Sequence, residues 1–419
     1  MIKIKKSFLS SEFMKNIILL TGSSFLVQLI PFLISPILSR FYSPEDFGEL
    51  GLFNQSVSIL VIFFTLSFEQ AIVIVKKNET AINLIKGIYS ISLIGLLLVI
   101  SSLIILKTFS ISVQFDTLSN DFIIYLPFSV FLYSLILCST NLSNRFKEYR
   151  FLSILKLVQV ITTNSLYLLN FLSLITGRLF GLLAAGIFSF AYFIKKKSGF
   201  ELSNKKISQS LSSNVNFAKY TSIHSLANTI VGSLPMFLLS SYYSLSIVGY
   251  YSFTFTMMFV PVQLIAASIG GVLKQDFSQK YYKGTLELTK VYKFYKKLVL
   301  LLVIPSIIFL IYSPQIFSLI FSEKWFESGE IARFLFPWVL SILFTSPISF
   351  LPQLFNRQKQ ALFIEIITSI IKSITLFVCC EILLEYELTI LLFSIVATLS
   401  VLTNLIWYFW LIKYKKIDK

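Results

Sequence analysis

The 419-residue chain is 56% hydrophobic and only 13% charged, and its mean hydropathy is +0.80. That composition lies far outside the range of soluble domains and marks a chain whose solvent is largely the lipid bilayer. The net charge of +16 does not imply nucleic acid, because the basic residues fall in short clusters between apolar runs, which is how membrane orientation is encoded. The opening M-I-K-I-K-K-S-F-L-S-S-E-F lacks the apolar core and small-residue cleavage site of a signal peptide and reads as a cytoplasmic lead into the first span. Apolar runs long enough to cross ~30 Å of hydrocarbon then recur about twelve times. They fall at 15–38, 47–72, 81–106, 121–143, 151–171, 174–194, 216–239, 247–273, 298–319, 332–355, 360–382 and 388–411.

Charge supports this count. With the N-terminus inside, the inner connections hold the N-terminal lysines, Lys76, Lys77, Lys86, Arg145, Lys147 and Arg150. They also hold Lys195–Lys197 with Lys205 and Lys206, the run Lys274–Lys297, Arg357, Lys359 and the tail lysines, so that with Lys156 and Lys219 the inner side takes about thirty of the 36 basic residues. The outer set keeps Arg40, Lys107, Arg178, Lys324 and Arg333 among acidic Glu45, Asp46, Asp116, Asp121, Glu323, Glu327 and Glu381. A missed or invented helix would scramble that alternation. The expected fold is an all-α integral membrane protein of about twelve transmembrane helices in two six-helix bundles, both termini cytoplasmic. The basic, Ser/Asn-rich stretch from Lys195 to Asn214 shows no periodicity and reads as a surface linker. The expected parts are an N-terminal bundle over 1–197, a cytoplasmic linker over 198–214 and a C-terminal bundle over 215–419. Lys274–Lys297 mixes Tyr and Lys and suits a positively charged stretch on anionic lipid.

The halves echo each other. At an offset of about 201, Ser39, Tyr42, Ser43 and Gly48 fall on Ser240, Tyr243, Ser244 and Gly249, and Thr21, Ser24 and Gln28 fall on Ser222, Ser225 and Thr229. An even number of spans in each half makes the repeats parallel, with a cleft between them. The first span carries Pro31 and Pro36, and the seventh carries Gly232 and Pro235. Proline frees backbone carbonyls inside a span, so Pro31, Pro36 and Pro235 are candidate hinges for helices that bend during alternating access.

No enzyme site is legible. There is one histidine, His224, which reads as an ordinary polar group near the interface; Walker A, HExxH and GxSxG patterns are missing, and the outer loops are short. Cys138, Cys379 and Cys380 lie inside apolar runs and imply no disulfide framework. No catalytic residue, cofactor or metal site is expected. Polar side chains inside spans are more informative, since a charge among lipid tails costs about 2.5 kcal/mol or more unless it faces a cavity or a partner. The fifth span carries Lys156, Gln159 and Thr163, with Asn170 further along; the eleventh carries Glu365, Ser369 and Lys372, each set spaced for one helix face. Lys372 stands about 12 residues into its span, ~18 Å by helix rise, too deep to snorkel easily. Lys372, Lys156, Gln159 and Gln28 are therefore candidate cavity-lining, substrate-binding residues. Glu69, late in the second span, is either an ion site or an ionic partner near the inner interface, and Glu365 is the other candidate ion-coupling acid.

The elbow R-F-Y-S-P-E-D-F-G-E-L (Arg40–Leu50), followed by F-E-Q-A-I-V-I-V-K-K (Phe68–Lys77), resembles the opening of Wzx-type oligosaccharide flippases. Their superfamily also holds lipid II flippases and multidrug/toxin extrusion transporters. The second half agrees at V-G-Y-Y-S-F (Val248–Phe253), F-S-E-K-W-F-E-S-G-E-I-A-R-F-L-F-P-W (Phe321–Trp338) and S-P-I-S-F-L-P-Q-L-F-N-R-Q-K (Ser346–Lys359). One departure is Ser322, where the family usually has Gly in F-G-E-x-W; it is expected to affect only an outer loop. The resemblance implies two bundles around a central, often cationic cavity through which an undecaprenyl-diphosphate-linked oligosaccharide turns over, coupled to H+ or Na+. It makes Lys372 and Lys156 candidate partners of the pyrophosphate. It implies flipping across the bacterial cytoplasmic membrane for O-antigen or capsule assembly, alongside a polysaccharide polymerase. A cation-coupled drug exporter would prefer an acidic cavity, and a membrane-embedded polymerase or transferase would need large outer loops; the sequence favours neither.

Overall fold

The computed structural model describes residues 12–108, 118–197, 203–282, 288–382 and 385–414. Asp116, the lead 1–11, residues 198–202 of the linker, 283–287 of the Tyr/Lys segment and the tail 415–419 lie outside the described residues. The described chain is helical, without strands. In order the helices are α1 (Glu12–Phe41), α2 (Pro44–Thr65), α3 (Phe68–Ile74), α4 (Asn78–Thr108), α5 (Asn120–Phe146), α6 (Tyr149–Leu168), α7 (Leu174–Lys197) and α8 (Asn204–Ser213). They continue with α9 (Ser222–Tyr242), α10 (Leu245–Tyr282), α11 (Leu288–Phe321), α12 (Phe326–Thr345), α13 (Leu351–Leu354), α14 (Gln358–Ile382) and α15 (Tyr386–Tyr414). Eleven helical runs among the described residues are long and apolar enough to cross a membrane, and Phe25–Phe41 of α1 is a shorter apolar run.

Contacts divide the chain into two compact units, one holding residues through Tyr42 with Glu49–Ser233, the other Ser43–Gly48 with Leu234–Lys419. The units differ from halves cut at the linker, because Ser43–Gly48 belongs with the second and the start of α9 with the first. In the first unit α6 packs along α1 and α7, and α5 along α7. A dry core of Phe68, Ile72, Ile82, Ile85, Cys138 and Leu142 gathers α3, α4 and α5. In the second unit α12 is the central helix, packed by α10, α11 and α15. Trp325, fully buried, anchors an aromatic cluster with Phe253, Phe317 and Phe321.

The repeat has structural counterparts. Tyr42 donates its hydroxyl to the carbonyls of Tyr167 and Leu172, at 2.9 and 3.0 Å, across the turn between α6 and α7. Its sequence equivalent Tyr243 bonds Thr389 at the start of α15, 2.8 Å away. Each tyrosine thus reaches the last helix pair of its own unit. Inside the second unit, the elbow crosses the start of α10 backbone to backbone: a Cβ on Gly48 would overlap the carbonyl of Leu245, and one on Gly249 would overlap the carbonyl of Pro44. Gly48 and Gly249, like Pro44 and Leu245, are 201 apart, so the two contacts are repeat-related. Only glycine permits so close an approach. Glu45 accepts from the hydroxyl of Ser246 and fastens the same crossing.

Three expectations need correction. The stretch 47–72 is not one span: it breaks after Thr65, where Leu66 and Ser67 take left-handed φ values of 48° and 53°. The linker is not featureless either, since α8 forms over Asn204–Ser213 and docks on α4. Leu211 lies over Gly87, whose missing side chain makes room for it, and Lys206 pairs with Glu79 at 2.8 Å. Its apolar positions Ile207 and Leu211 stand four apart, a period that the surrounding Ser and Lys masked in the sequence. Ser322, finally, is more than a loop substitution. It sits at φ 91°, a conformation that favours glycine, and its buried hydroxyl has no hydrogen-bond partner. That strained residue leads into the short 3-10 turn Glu323–Trp325 that seats Trp325.

Candidate functional site at an interrupted helix

The break between α2 and α3 has a local cause. Thr65 donates its hydroxyl to the carbonyl of Val61 at 3.0 Å and accepts from the N–H of Ser67 at 3.3 Å. Backbone groups that would continue the helix are thereby diverted. The carbonyl of Phe64 loses its partner four residues on and instead accepts from Ser92 of α4, at 2.8 Å. Two non-glycine residues in the left-handed region cost about 1–3 kcal/mol each and persist only where the surroundings fix them.

Beyond the break lies Glu69, only 8% exposed, with one carboxylate oxygen buried and without a hydrogen-bond partner. Among the described residues no Lys or Arg pairs with it. An acid so placed is costly to keep charged without a cation or a proton. The far end of α3 is held by Arg145, from the last turn of α5. Its guanidinium donates to the carbonyls of Ile72 (2.9 Å), Val75 (2.6 Å) and Lys76 (3.3 Å), and its Nε donates to Asn78 at 2.9 Å. Ile72 is one of the last-turn carbonyls that a helix end leaves without partners, and Val75 and Lys76 follow it just past the end of α3. A seven-residue helix is thus fixed by a fork-shaped cation at one end and a pair of strained residues at the other.

The first part of α9 runs beside this broken helix. Gln70 donates to Ser225 at 3.4 Å, and Ser233 donates to Gln55 of α2 at 2.8 Å. A π-helical turn over Phe217–Thr221 opens α9; such turns recur at functional sites. His224 is exposed on α9, 3.5 Å from Asn228. Gln55, Gln70, Ser233 and Arg145 were not singled out in the sequence. Arg145 was read there only as an orientation charge, and an isolated Gln on an apolar run carries no periodic signal.

The residues expected to line a cavity are placed as follows. Lys156 and Gln159 are half-buried on α6, and Gln28 is half-buried on α1, the helix α6 packs along. Thr163 and Asn170 do not join that face. Thr163 is buried beneath Gly181 of α7, and Asn170 lies past the end of α6 with φ 53°. Pro31 and Pro36 sit within an uninterrupted α1. Ser35 donates to the carbonyl of Phe32 at 2.7 Å, the group that Pro36 leaves without an N–H. Pro235 is buried within α9. In the second unit, Glu365 is exposed and Lys372 half-buried on α14, within electrostatic reach of each other, seven residues or about 10 Å of helix rise apart. Among the described residues no three His, Cys, Asp or Glu side chains cluster as a metal site would require.

The described residues thus combine polar side chains within apolar helices and a discontinuous helix. Comparison with known proteins bears on the class. A family described as polysaccharide biosynthesis protein matches residues 13–274. No curated protein sequence matches. Among solved structures, an inward-facing multidrug resistance MATE family transporter of the MOP superfamily superposes with a TM-score of 0.66 at 13% identity, over 93% of this chain and 96% of that one. The lipid II flippase MurJ, in an inward closed conformation, gives 0.64 at 16% identity, over 94% and 90%. A MOP superfamily transporter from Pyrococcus furiosus gives 0.53 at 14% identity, over 96% and 95%.

Proposed function

We propose that this chain, which belongs to the polysaccharide biosynthesis protein family, flips an undecaprenyl-diphosphate-linked oligosaccharide from the inner to the outer leaflet of a bacterial cytoplasmic membrane, for O-antigen or capsule assembly. The observation that carries the reading is the pair of half-buried lysines inside spans, Lys156 on α6 and Lys372 on α14. A lysine held within a span favours an anionic cargo, and a diphosphate is the anionic part of such a lipid. The fold is shared with a lipid II flippase, which supports a lipid-linked saccharide as cargo. Flipping requires no covalent step. Gln28 and Gln159 are amide groups suited to sugar hydroxyls. The carboxylate of Glu69, one of whose oxygens is buried without a hydrogen-bond partner next to a helix break, is the leading candidate for the coupling proton or sodium ion, and Glu365, on the same helix as Lys372, is the second. Pro31, Pro36 and Pro235 are the proposed bending points.

The test is to delete the gene in its native host and extract the lipid-linked intermediates. Accumulation of undecaprenyl-linked oligosaccharide with loss of surface polysaccharide supports the reading and identifies the sugar. Normal surface glycan with raised sensitivity to cationic compounds overturns it in favour of drug export.

A further inference from the structure

Two apolar cavities in the first unit meet at one cation. The first, about 460 Å³, lies between α4, α5 and α7 and is walled by Tyr89, Leu93, Leu135, Ile187 and Phe190. The second, about 540 Å³, lies between α4, the break after α2 and helix α8, and is walled mainly by Leu66, Phe68, Ile207 and Leu211, with polar Ser208 and Ser212 of α8 also lining it. Lys86 and Ser90, one turn apart on α4, line both. Ser90 donates to the carbonyl of Lys86 at 3.1 Å. The half-buried Lys86 ammonium makes no ion pair or hydrogen bond among the described residues, although the neighbouring Lys206 does. Among the described residues no Asp or Glu lines either cavity.

We propose that α4 is straddled by one anionic diacyl phospholipid, its phosphate on the Lys86 ammonium and one acyl chain in each cavity. A single cation where two carbon-lined cavities join matches a headgroup carrying two chains. A one-chain polyprenyl phosphate would leave one cavity empty. With no carboxylate among the described lining residues to pair with the ammonium of a zwitterionic head, the lining favours a head of the phosphatidylglycerol type. The charge distribution puts the Lys86 end of α4 at the inner leaflet, where anionic lipid attracts basic side chains. Because α8 forms one wall of the second cavity, the bound lipid also holds that helix to α4. The inference is independent of the flippase reading, since the ligand is a bilayer lipid and not the cargo.

Native mass spectrometry of the purified full-length protein tests it, using dioleoyl phosphatidylglycerol, dioleoyl phosphatidylcholine, lysophosphatidylglycerol and undecaprenyl phosphate. One phosphatidylglycerol is expected to bind about fivefold more tightly than phosphatidylcholine, the preference one lysine gives an anionic head. Lys86→Gln should abolish that preference and Lys86→Arg retain it, with thermal unfolding unchanged in both. Ile187→Trp, filling the first cavity, should weaken phosphatidylglycerol but not lysophosphatidylglycerol. Equal retention of the two diacyl lipids, or a preference that survives Lys86→Gln, overturns the site. Lysophosphatidylglycerol or undecaprenyl phosphate held as tightly as phosphatidylglycerol overturns the two-chain assignment, and full competition by free glycerol phosphate overturns a lipid source.

Discussion

The second span of the first half and its counterpart in the second half start alike and end differently. Pro44 and Leu245 open α2 and α10, and Gly48 and Gly249 make the same kind of close crossing. Some twenty residues later the two part. Leu66-Ser67-Phe68-Glu69-Gln70 breaks the helix and buries an acid, whereas the equivalent Ala267-Ser268-Ile269-Gly270-Gly271 runs on inside an uninterrupted 38-residue α10. A duplicated architecture thus carries its unusual chemistry once. The difference lies in the neighbours: α4 supplies Ser92 to the freed carbonyl and α5 supplies Arg145 to the end of α3. Thr65, whose repeat equivalent is Ala266, adds the local hydrogen bond from the N–H of Ser67.

That contrast can be broken at several strengths. Glu69→Gln removes the buried carboxylate at the break while keeping its shape. Flipping, followed as surface glycan in a deletion strain, should fall at least about tenfold with normal membrane insertion, as expected when an intramembrane acid serves transport. Wild-type activity in Glu69→Gln would remove the acid from the mechanism. Arg145→Ala leaves several carbonyls at the end of α3 without donors, each hydrogen bond to a charged group contributing about 1.5–3 kcal/mol. Thermal unfolding in detergent should drop markedly, and protease cleavage near Val75 should appear; unchanged cleavage would show that α3 holds without the clamp.

Smaller effects sharpen the comparison by sign. Ser67→Gly relieves a left-handed residue and should raise stability by about 1 kcal/mol. Ser268→Gly, the same change at the repeat-equivalent position inside α10, should lower it by about 0.5 kcal/mol. Shifts of the same sign would mean that the two backbones do not differ as described. Ser322→Gly, at φ 91°, should likewise stabilise by about 1 kcal/mol, read from the unfolding midpoint.

Much of the fold was legible because hydropathy and charge act residue by residue. Apolar length located the spans, and the 201-residue echo located the elbow and its glycines. Lys156, Lys372 and Glu69 stood out because polar groups in apolar runs are rare. The stripe through Thr163 and Asn170 misled, since ideal helical spacing was extended past the true end of α6 and across a face that packs on α7. The helix in the linker escaped notice because its apolar positions are few and its docking surface, Gly87, lies more than a hundred residues away.

By itself the sequence determined the class, an all-helical membrane chain with two related halves, since burying apolar runs in lipid and keeping charges in water admits few other outcomes. Tertiary structure alone decided that α2 stops at Thr65, that Arg145 closes α3, and that Lys86 heads two cavities. Each of these rests on side chains brought together from distant helices. A broken helix in lipid survives only where such neighbours take up the backbone groups it frees.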